Sequence, residues 1–265
     1  MRCYISRTVV LKHMSFPLRL VWFYLLIAPH VLLIPIAVVM FWKGLHKDFP
    51  VFFTYILFEI LEFSVLFPMY ALKMPGATVM SVDRLARGGD VTFHFGIIQA
   101  MFESPFANIK PMRRAMGRIF SVLILIFIVL AMTFIAPQYY RIPGYGLLKG
   151  YVGIEALNTA QCGLLVCVFV WHRFLGFRMS PCVFGIALGI GLVASSEPLM
   201  VALKDSVSAQ NSKFVDFTQM AIFQGAVLLW IYYVRARETV NTNIDAAYLL
   251  EARDWASGVE RITRP

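Results

Sequence analysis

Apolar residues along this chain occur in long blocks separated by short stretches that contain charges, Pro or Gly. A helix rises about 1.5 Å per residue, so a block of about 20 residues spans a hydrocarbon core about 30 Å thick. No domain linker, repeat or low-complexity tract separates the blocks. Six blocks predict membrane-spanning helices, namely 17–42, 51–72, 117–136, 150–171, 182–203 and 215–234. The pattern predicts an all-α, polytopic transmembrane helix bundle.

The stretch 77–103 is ambiguous, because it is continuously apolar only from Val91 to Phe102, which is too short to span. The first half of the stretch carries four charges, Asp83, Arg84, Arg87 and Asp90. If this stretch does not cross the membrane, most Lys and Arg residues fall on one side, as the positive-inside rule favours. Charge counting therefore favours six spans.

Four sequence motifs bear on the number of spans. They are FFTYILFE (Phe52–Glu59), RRAMGR (Arg113–Arg118), QCGLL (Gln161–Leu165) and FGIALGIGLVAS (Phe184–Ser195). In these motifs the chain resembles a group of uncharacterised bacterial seven-helix integral membrane proteins. The resemblance implies about seven spans, with 77–103 as a complete third helix. The chain departs from the group there, since Gly88 and Gly89 and four charges stand where aromatic residues are expected. We expect neighbouring helices to shelter this polar half, because charges facing lipid are costly.

Met14 is an alternative start of the chain. When the residues before it are discounted and seven spans are assumed, the positive-inside rule places the N-terminus outside a bacterial inner membrane and the C-terminus in the cytoplasm. Residues 1–236 then form the transmembrane bundle, and 237–265 form a short polar tail with an amphipathic helix from about 243 to 262. The predicted partners are the lipid bilayer and a cytoplasmic protein that docks on the basic inner loops and the tail.

Composition supports membrane insertion. The 265 residues are 59% hydrophobic and 15% charged, with a mean hydropathy of +0.71 and a net charge of +9. Soluble domains are usually about 45–50% apolar and about 25% charged, so the surplus apolar surface needs lipid. Basic residues lie beside the spans, which favours contact with an anionic leaflet over nucleic acid. The four cysteines show no metal-ligand or CxxC spacing and are interpreted as small apolar fillers.

The clearest chemical signal is a pair of acids, Glu59 and Glu62, near the middle of 51–72. Their i,i+3 spacing puts both on one helical face. Two carboxyl groups one turn apart in a low-dielectric setting cannot easily both ionise, so we expect them to point inward and share a proton. Such acids mark a proton path, an ion site or a ligand contact, but they also serve as hydrogen-bonded glue between helices. Both interpretations stay open.

Other spans also carry polar side chains that could line one cavity open to the outside. The candidates are Thr92, His94, Gln99, Glu155, Asn158, Thr159, Cys162, Glu197, Gln219 and Gln224. A ligand pocket and a hydrogen-bonded core fit this set equally well. Gly185, Gly189 and Gly191 form a ridge of small residues, for which packing inside the bundle is favoured over dimerisation.

Signatures of enzymes and cofactor proteins do not match this chain. It has no HExxH, GxSxG or clustered DxxD motif, so we do not predict an enzyme. The last span, Phe217 to Val234, has no lysine for a retinal Schiff base. His30 and His94 lie deep in spans and invite comparison with haem proteins, but a single pair without CxxCH is more often two core histidines. No cofactor or metal is predicted.

Three functions fit these observations. The favoured one is a receptor or sensor with an outward-facing polar pocket. The second is a transporter or proton-linked membrane subunit that uses Glu59 and Glu62, and the third is a structural subunit of a membrane complex. Inverted repeats would favour a transporter, and no convincing symmetry relates the two halves of the chain.

Overall fold

A computed structural model describes residues 16–104, 110–140, 149–175, 181–206 and 212–235. Within these ranges every regular element is a helix, which confirms the predicted all-α class. The helices are α1 (Phe16–Trp42), α2 (Leu45–Asp48), α3 (Pro50–Ala71), α4 (Gly76–Glu103), α5 (Lys110–Tyr140), α6 (Lys149–Leu175), α7 (Pro181–Ser206) and α8 (Ser212–Arg235). The predicted amphipathic tail lies outside the described residues.

Five of these helices are long and apolar enough to cross a membrane. Their apolar segments are Phe16–Trp42, Pro50–Ala71, Arg113–Thr133, Pro181–Met200 and Phe214–Arg235. A shorter apolar segment, Ala156–Val170, lies in α6. The chain is therefore a multi-pass membrane protein.

The ambiguous stretch forms one continuous helix, α4, of 28 residues. Its polar half is partly sheltered, since the side chains of Asp83 and Arg87 are 22% and 38% exposed. The Arg87 Nε donates a hydrogen bond to Asp83 Oδ2 at 3.1 Å. Gly89 allows this half to approach α3 closely, because a Cβ at this position would overlap the ring of Phe58. The glycine that departs from the resemblance thus serves helix packing.

The long helices pack in chain order and close a ring. Each packs against the next, from α1 and α3 through to α7 and α8, and α8 packs on α1. Within the described part of the chain, α4 contacts α6 and α7 as well as α3 and α5, so it lies toward the centre. α4 as a whole is therefore placed among other helices.

The first and last helices of the ring run parallel. Trp22 and Phe217 form an edge-to-face pair, with ring centroids 5.0 Å apart, near the N-terminal ends of α1 and α8. Near their C-terminal ends, the Lys43 Nζ donates to the carbonyl oxygens of Val234 at 2.8 Å and Arg235 at 3.2 Å. The chain therefore passes between the two ends of the bundle an odd number of times. We call the end that contains Lys43 and Arg235 the basic end.

Aromatic side chains fill the interior between the bundle centre and the basic end. Trp230 is fully buried and meets Phe52 edge to face at 5.3 Å and Tyr55 edge to face at 6.0 Å. We call these three residues the aromatic layer. The layer joins α8 to α3.

The glycine ridge of α7 packs inside the bundle, in agreement with the sequence-based expectation. A Cβ at Gly189 would overlap the Trp230 indole, and one at Gly185 would overlap the Tyr233 ring. Both glycines therefore let α8 approach α7 closely. Gly191 faces α6, where Leu165 would lie 3.9 Å from an added Cβ.

We predict that Gly189→Ala destabilises the protein by about 1–3 kcal/mol, because the fully buried Trp230 has no space into which to move. Thermal unfolding of purified protein in detergent measures the effect. Gly225→Ala is the matched control, because nothing lies within 4 Å of a Cβ added there and alanine is the better helix former. Equal midpoints for the two variants would contradict close packing of α7 and α8.

Candidate functional site

Three carboxyl groups from two helices meet near the middle of the bundle. Glu59 and Glu62 extend from α3 and Asp90 from α4, and one oxygen of each lies within 4.8 Å of the others. We call these three residues the acidic cluster. At about 1.5 Å per residue, Glu59 lies about 14 Å along an α3 that is about 33 Å long. The cluster is thus close to the middle of a membrane-spanning helix.

Local sequence features bring the cluster together. The i,i+3 spacing of Glu59 and Glu62 puts both on one face of α3, as predicted. Asp90 directly follows Gly89, the residue at which α4 approaches Phe58 of α3. A Cβ at position 89 would require the Phe58 ring to move. The cluster therefore depends on a close helix contact as well as on the spacing of its acids.

The cluster is partly buried and contains polar atoms without hydrogen-bond partners. Glu59 is only 8% exposed. Glu62 Oε2 and Asp90 Oδ1 are buried and make no hydrogen bond. The Tyr55 hydroxyl is fully buried beside Glu59, within hydrogen-bonding reach of its carboxyl group. Each atom without a partner costs about 1–3 kcal/mol, so a group that binds these oxygens would be strongly favoured.

A small cavity adjoins the cluster at Asp90 and lies between α4, α6 and α7. Its lining residues are Arg87, Asp90, Val91, His94, Asn158, Ala194 and Glu197. The cavity volume is about 10 Å³, close to the smallest that holds one water molecule. A water molecule or a bare ion fits this volume, whereas an organic ligand does not.

His94 has a hydrogen-bond arrangement that fixes its tautomer. Gln161 donates from Nε2 to the Val91 carbonyl at 2.9 Å, which turns its Oε1 toward His94 Nδ1 at 3.4 Å. The amide oxygen is an acceptor, so Nδ1 carries the proton. His94 Nε2 is then an acceptor, and it is buried without a partner. His94 is only 5% exposed and lies one turn after Asp90 on the same face of α4.

Two more predicted site residues line the same cavity. The Asn158 amide of α6 donates to the Glu197 carboxylate of α7. This bond links two helices and gives Glu197 a partner that the acidic cluster lacks. Glu155 belongs to the same predicted stripe, and its side chain lies outside the described part of the chain.

Gln99 was expected at the site, and the structure corrects this expectation. The side chain is exposed and donates to Glu103 Oε1 at 2.9 Å, close to the basic end. Gln99 follows His94 by five positions. Its side chain therefore points about 140° away from that of His94 around a helix with 3.6 residues per turn. Thr92 is also exposed, and its hydroxyl donates to the Gly88 carbonyl.

The other deep histidine, His30, lies in apolar surroundings. Its ring stacks on Phe63 with centroids 4.1 Å apart and also contacts Phe223. Its Nδ1 lies 3.0 Å from the Leu26 carbonyl oxygen in the same helix. This environment agrees with the interpretation of His30 as a core histidine.

Sequence reasoning missed four residues of the site as functional candidates, namely Tyr55, Arg87, Asp90 and Gln161. The two charged residues were noted only as obstacles to a span, and the other two only as parts of motifs. One signal was available, since Asp90 and His94 are four residues apart and therefore share a helical face. The partners from other helices carry no such signal.

No protein-family model, curated protein or solved structure matches the chain. The resemblance to bacterial seven-helix membrane proteins remains a prediction.

Proposed function

We propose that this protein is a non-enzymatic seven-helix membrane sensor that binds a small cation at the acidic cluster. The main observation that supports this proposal is that oxygens of three carboxyl groups lie within 4.8 Å of one another near the middle of the bundle. Buried charges of one sign are strongly destabilising without compensation. A bound cation supplies that compensation, and Asp90 also lines an adjoining cavity of about 10 Å³.

The helix arrangement supports seven spans. The parallel α1 and α8 fit an odd number of crossings, whereas six spans would make them antiparallel. α4 completes the count, because it packs against α3, α5, α6 and α7, and Arg87 and Asp90 of its polar half line a cavity shared with α6 and α7. By the positive-inside rule, the basic end faces the cytoplasm of a bacterial inner membrane, together with the C-terminus. The polar half of α4 then faces the outside.

Packing at the site supports transmission from the cluster to the cytoplasmic end. Tyr55 lies beside Glu59 and also contacts the Trp230 ring of α8. Lys43 binds the last carbonyl groups of α8, directly before the polar tail. A change in cluster geometry would shift Tyr55 and with it the end of α8. A cytoplasmic protein that binds the tail and the basic inner loops would receive the signal.

A cation transporter is the second candidate, favoured by the depth of the cluster, because transporter sites lie near the bilayer midplane between helices. The aromatic layer separates the cluster from the basic end. A transporter would have to open this layer during each cycle, whereas a sensor would keep it closed. Movement of ions across the membrane therefore distinguishes the two functions.

We predict that reporter fusions detect a cytoplasmic C-terminus and an external N-terminus. A reporter fused after Pro265 should be active only as a cytoplasmic fusion, and one fused near Gly144 only as an external fusion. A reporter fused after Met1 should behave as external. If the Met1 fusion were active in the cytoplasm, α4 would not cross the membrane, and the seven-span arrangement would be contradicted.

We predict that cation binding changes the tryptophan emission of the purified protein, because Tyr55 contacts both the cluster and Trp230. Na⁺, Ca²⁺, Mn²⁺ and protons are added in turn, and emission is recorded. The change should disappear in Trp230→Phe and in Glu62→Gln and persist in the control Trp22→Phe, which alters a tryptophan far from the cluster. A response that survives in Glu62→Gln would contradict the sensor.

We predict that the protein reconstituted in liposomes does not accelerate the decay of a proton, Na⁺ or Mn²⁺ gradient, because the aromatic layer stays closed. Fluorescent dyes trapped inside the vesicles report each ion, and protein-free vesicles give the baseline. Flux that requires Glu59 and Glu62, tested with the Gln variants, would replace the sensor with the transporter. Glu103→Gln, outside the cluster, is the control.

A further inference from the structure

We propose that one anionic phospholipid binds at the basic end of the seam between α1 and α8. Its phosphate contacts Arg235 and Lys43, and one of its acyl chains lies along the exposed face of α8. The site contains no residue of the acidic cluster or the aromatic layer. It therefore goes beyond the proposed function and is tested separately from it.

Four residues on one face of α8 form the acyl-chain part of the site. Of the described residues, these four line an open groove of about 480 Å³, namely Leu228, Ile231, Tyr232 and Arg235. We call them the α8 stripe. Their spacing of three and four positions puts them on one helical face. The groove is in the volume range of pockets that hold small molecules, about 300–1,000 Å³.

The α8 stripe lies on the outside of the bundle. Leu228 and Tyr232 are 52% and 67% exposed, and α8 is long and apolar enough to cross a membrane. Exposed apolar side chains of such a helix face acyl chains. Leu228 lies about 10 Å along the helix from Arg235, so it is among acyl chains when the guanidinium is at the level of the headgroups. The stripe therefore changes in polarity along its length as a phospholipid does.

Arg235 lies at the seam with α1. It follows Phe217 by 18 positions, which is five helical turns, so the two side chains leave α8 on the same face. Phe217 contacts Trp22 of α1. At the other end of α1, the Lys43 Nζ donates to the carbonyl oxygens of Val234 at 2.8 Å and Arg235 at 3.2 Å. Two cationic residues from different helices are thus adjacent at the basic end.

The charges at this point favour an anion. Carbonyl groups at the C-terminal end of a helix carry partial negative charge, which by itself would repel a phosphate. The Lys43 ammonium binds two of these carbonyl groups and offsets their charge, and one of its three N–H donors is left for a phosphate oxygen.

Arg235 is available for the same phosphate. Among the described residues, carboxylates form ion pairs with Arg87 and Arg113, and none forms an ion pair with the exposed Arg235. A guanidinium binds a phosphate through two parallel hydrogen bonds. The phosphate of a lipid therefore has two cationic partners, one from each helix of the seam.

A lipid fits this surface better than two other occupants. A soluble phosphate would use the cations and leave the apolar part of the α8 stripe uncovered. A second copy of this chain, inserted in the same direction, would bring a second Arg235 and Lys43 to the same level, where like charges repel. An anionic phospholipid matches both the charge and the apolar groove.

Native mass spectrometry of the full-length protein tests the site, with phosphatidylglycerol and phosphatidylethanolamine of identical acyl chains as probes. We expect one phosphatidylglycerol to bind at least tenfold more tightly than phosphatidylethanolamine. Arg235→Gln and Lys43→Gln should each weaken phosphatidylglycerol binding about fivefold, the usual contribution of one cation near an anionic membrane surface. Arg113→Gln is the matched control and should bind like the wild type, because it removes one charge from the Arg113–Glu103 pair near the basic end. Equal losses in Arg113→Gln and Arg235→Gln would overturn the site.

Photolabelling of the wild-type protein identifies the occupant without any variant. Phosphatidylglycerol that carries a diazirine in one acyl chain should label residues 228–235 of α8. Unlabelled phosphatidylglycerol should compete, and phosphatidylethanolamine should not. Labelling spread evenly over the exposed helix faces would overturn the site, because it would show only the general contact of a membrane protein with lipid. An unlabelled α8 stripe would also overturn it, because the polar tail or a second copy would then cover this face.

Discussion

The meeting of Glu59, Glu62 and Asp90 is the constraint on which the rest of the bundle depends. A carboxyl group inside a membrane cannot face lipid, so it must face another helix, a cation or a hydrogen-bond donor. This requirement accounts for the close approach of α3 and α4 at Gly89. It also agrees with the central position of α4, which packs against α3, α5, α6 and α7.

The surroundings of the cluster divide into two kinds. On the side of α6 and α7 the partners are polar, with Asn158, Gln161 and Glu197 joined by hydrogen bonds to one another or to α4. Toward the basic end the partners are aromatic and close-packed around Trp230. An ion can therefore be held beside a polar cavity while the aromatic layer limits its passage.

Close packing makes the aromatic layer sensitive to small displacements. Gly189 accepts the Trp230 indole directly, and Tyr55 touches both that indole and the cluster. Interiors of this density have few intermediate arrangements, so a small movement at the cluster tends to be passed on to neighbouring side chains. The end of α8 is held by Lys43 of α1, which links the layer to the junction with the polar tail.

The sequence by itself determined the membrane class, the helix positions and the shared face of Glu59 and Glu62, because helical periodicity and the thickness of a bilayer act on local segments. It also indicated the role of Gly189 in packing. It did not show that Asp90 completes the cluster, that Gln161 fixes the His94 tautomer or that Gln99 faces away. Periodicity gives the face on which a residue lies but not the helix that this face meets. Only the tertiary structure decided those partners, because they depend on how the whole ring of helices packs.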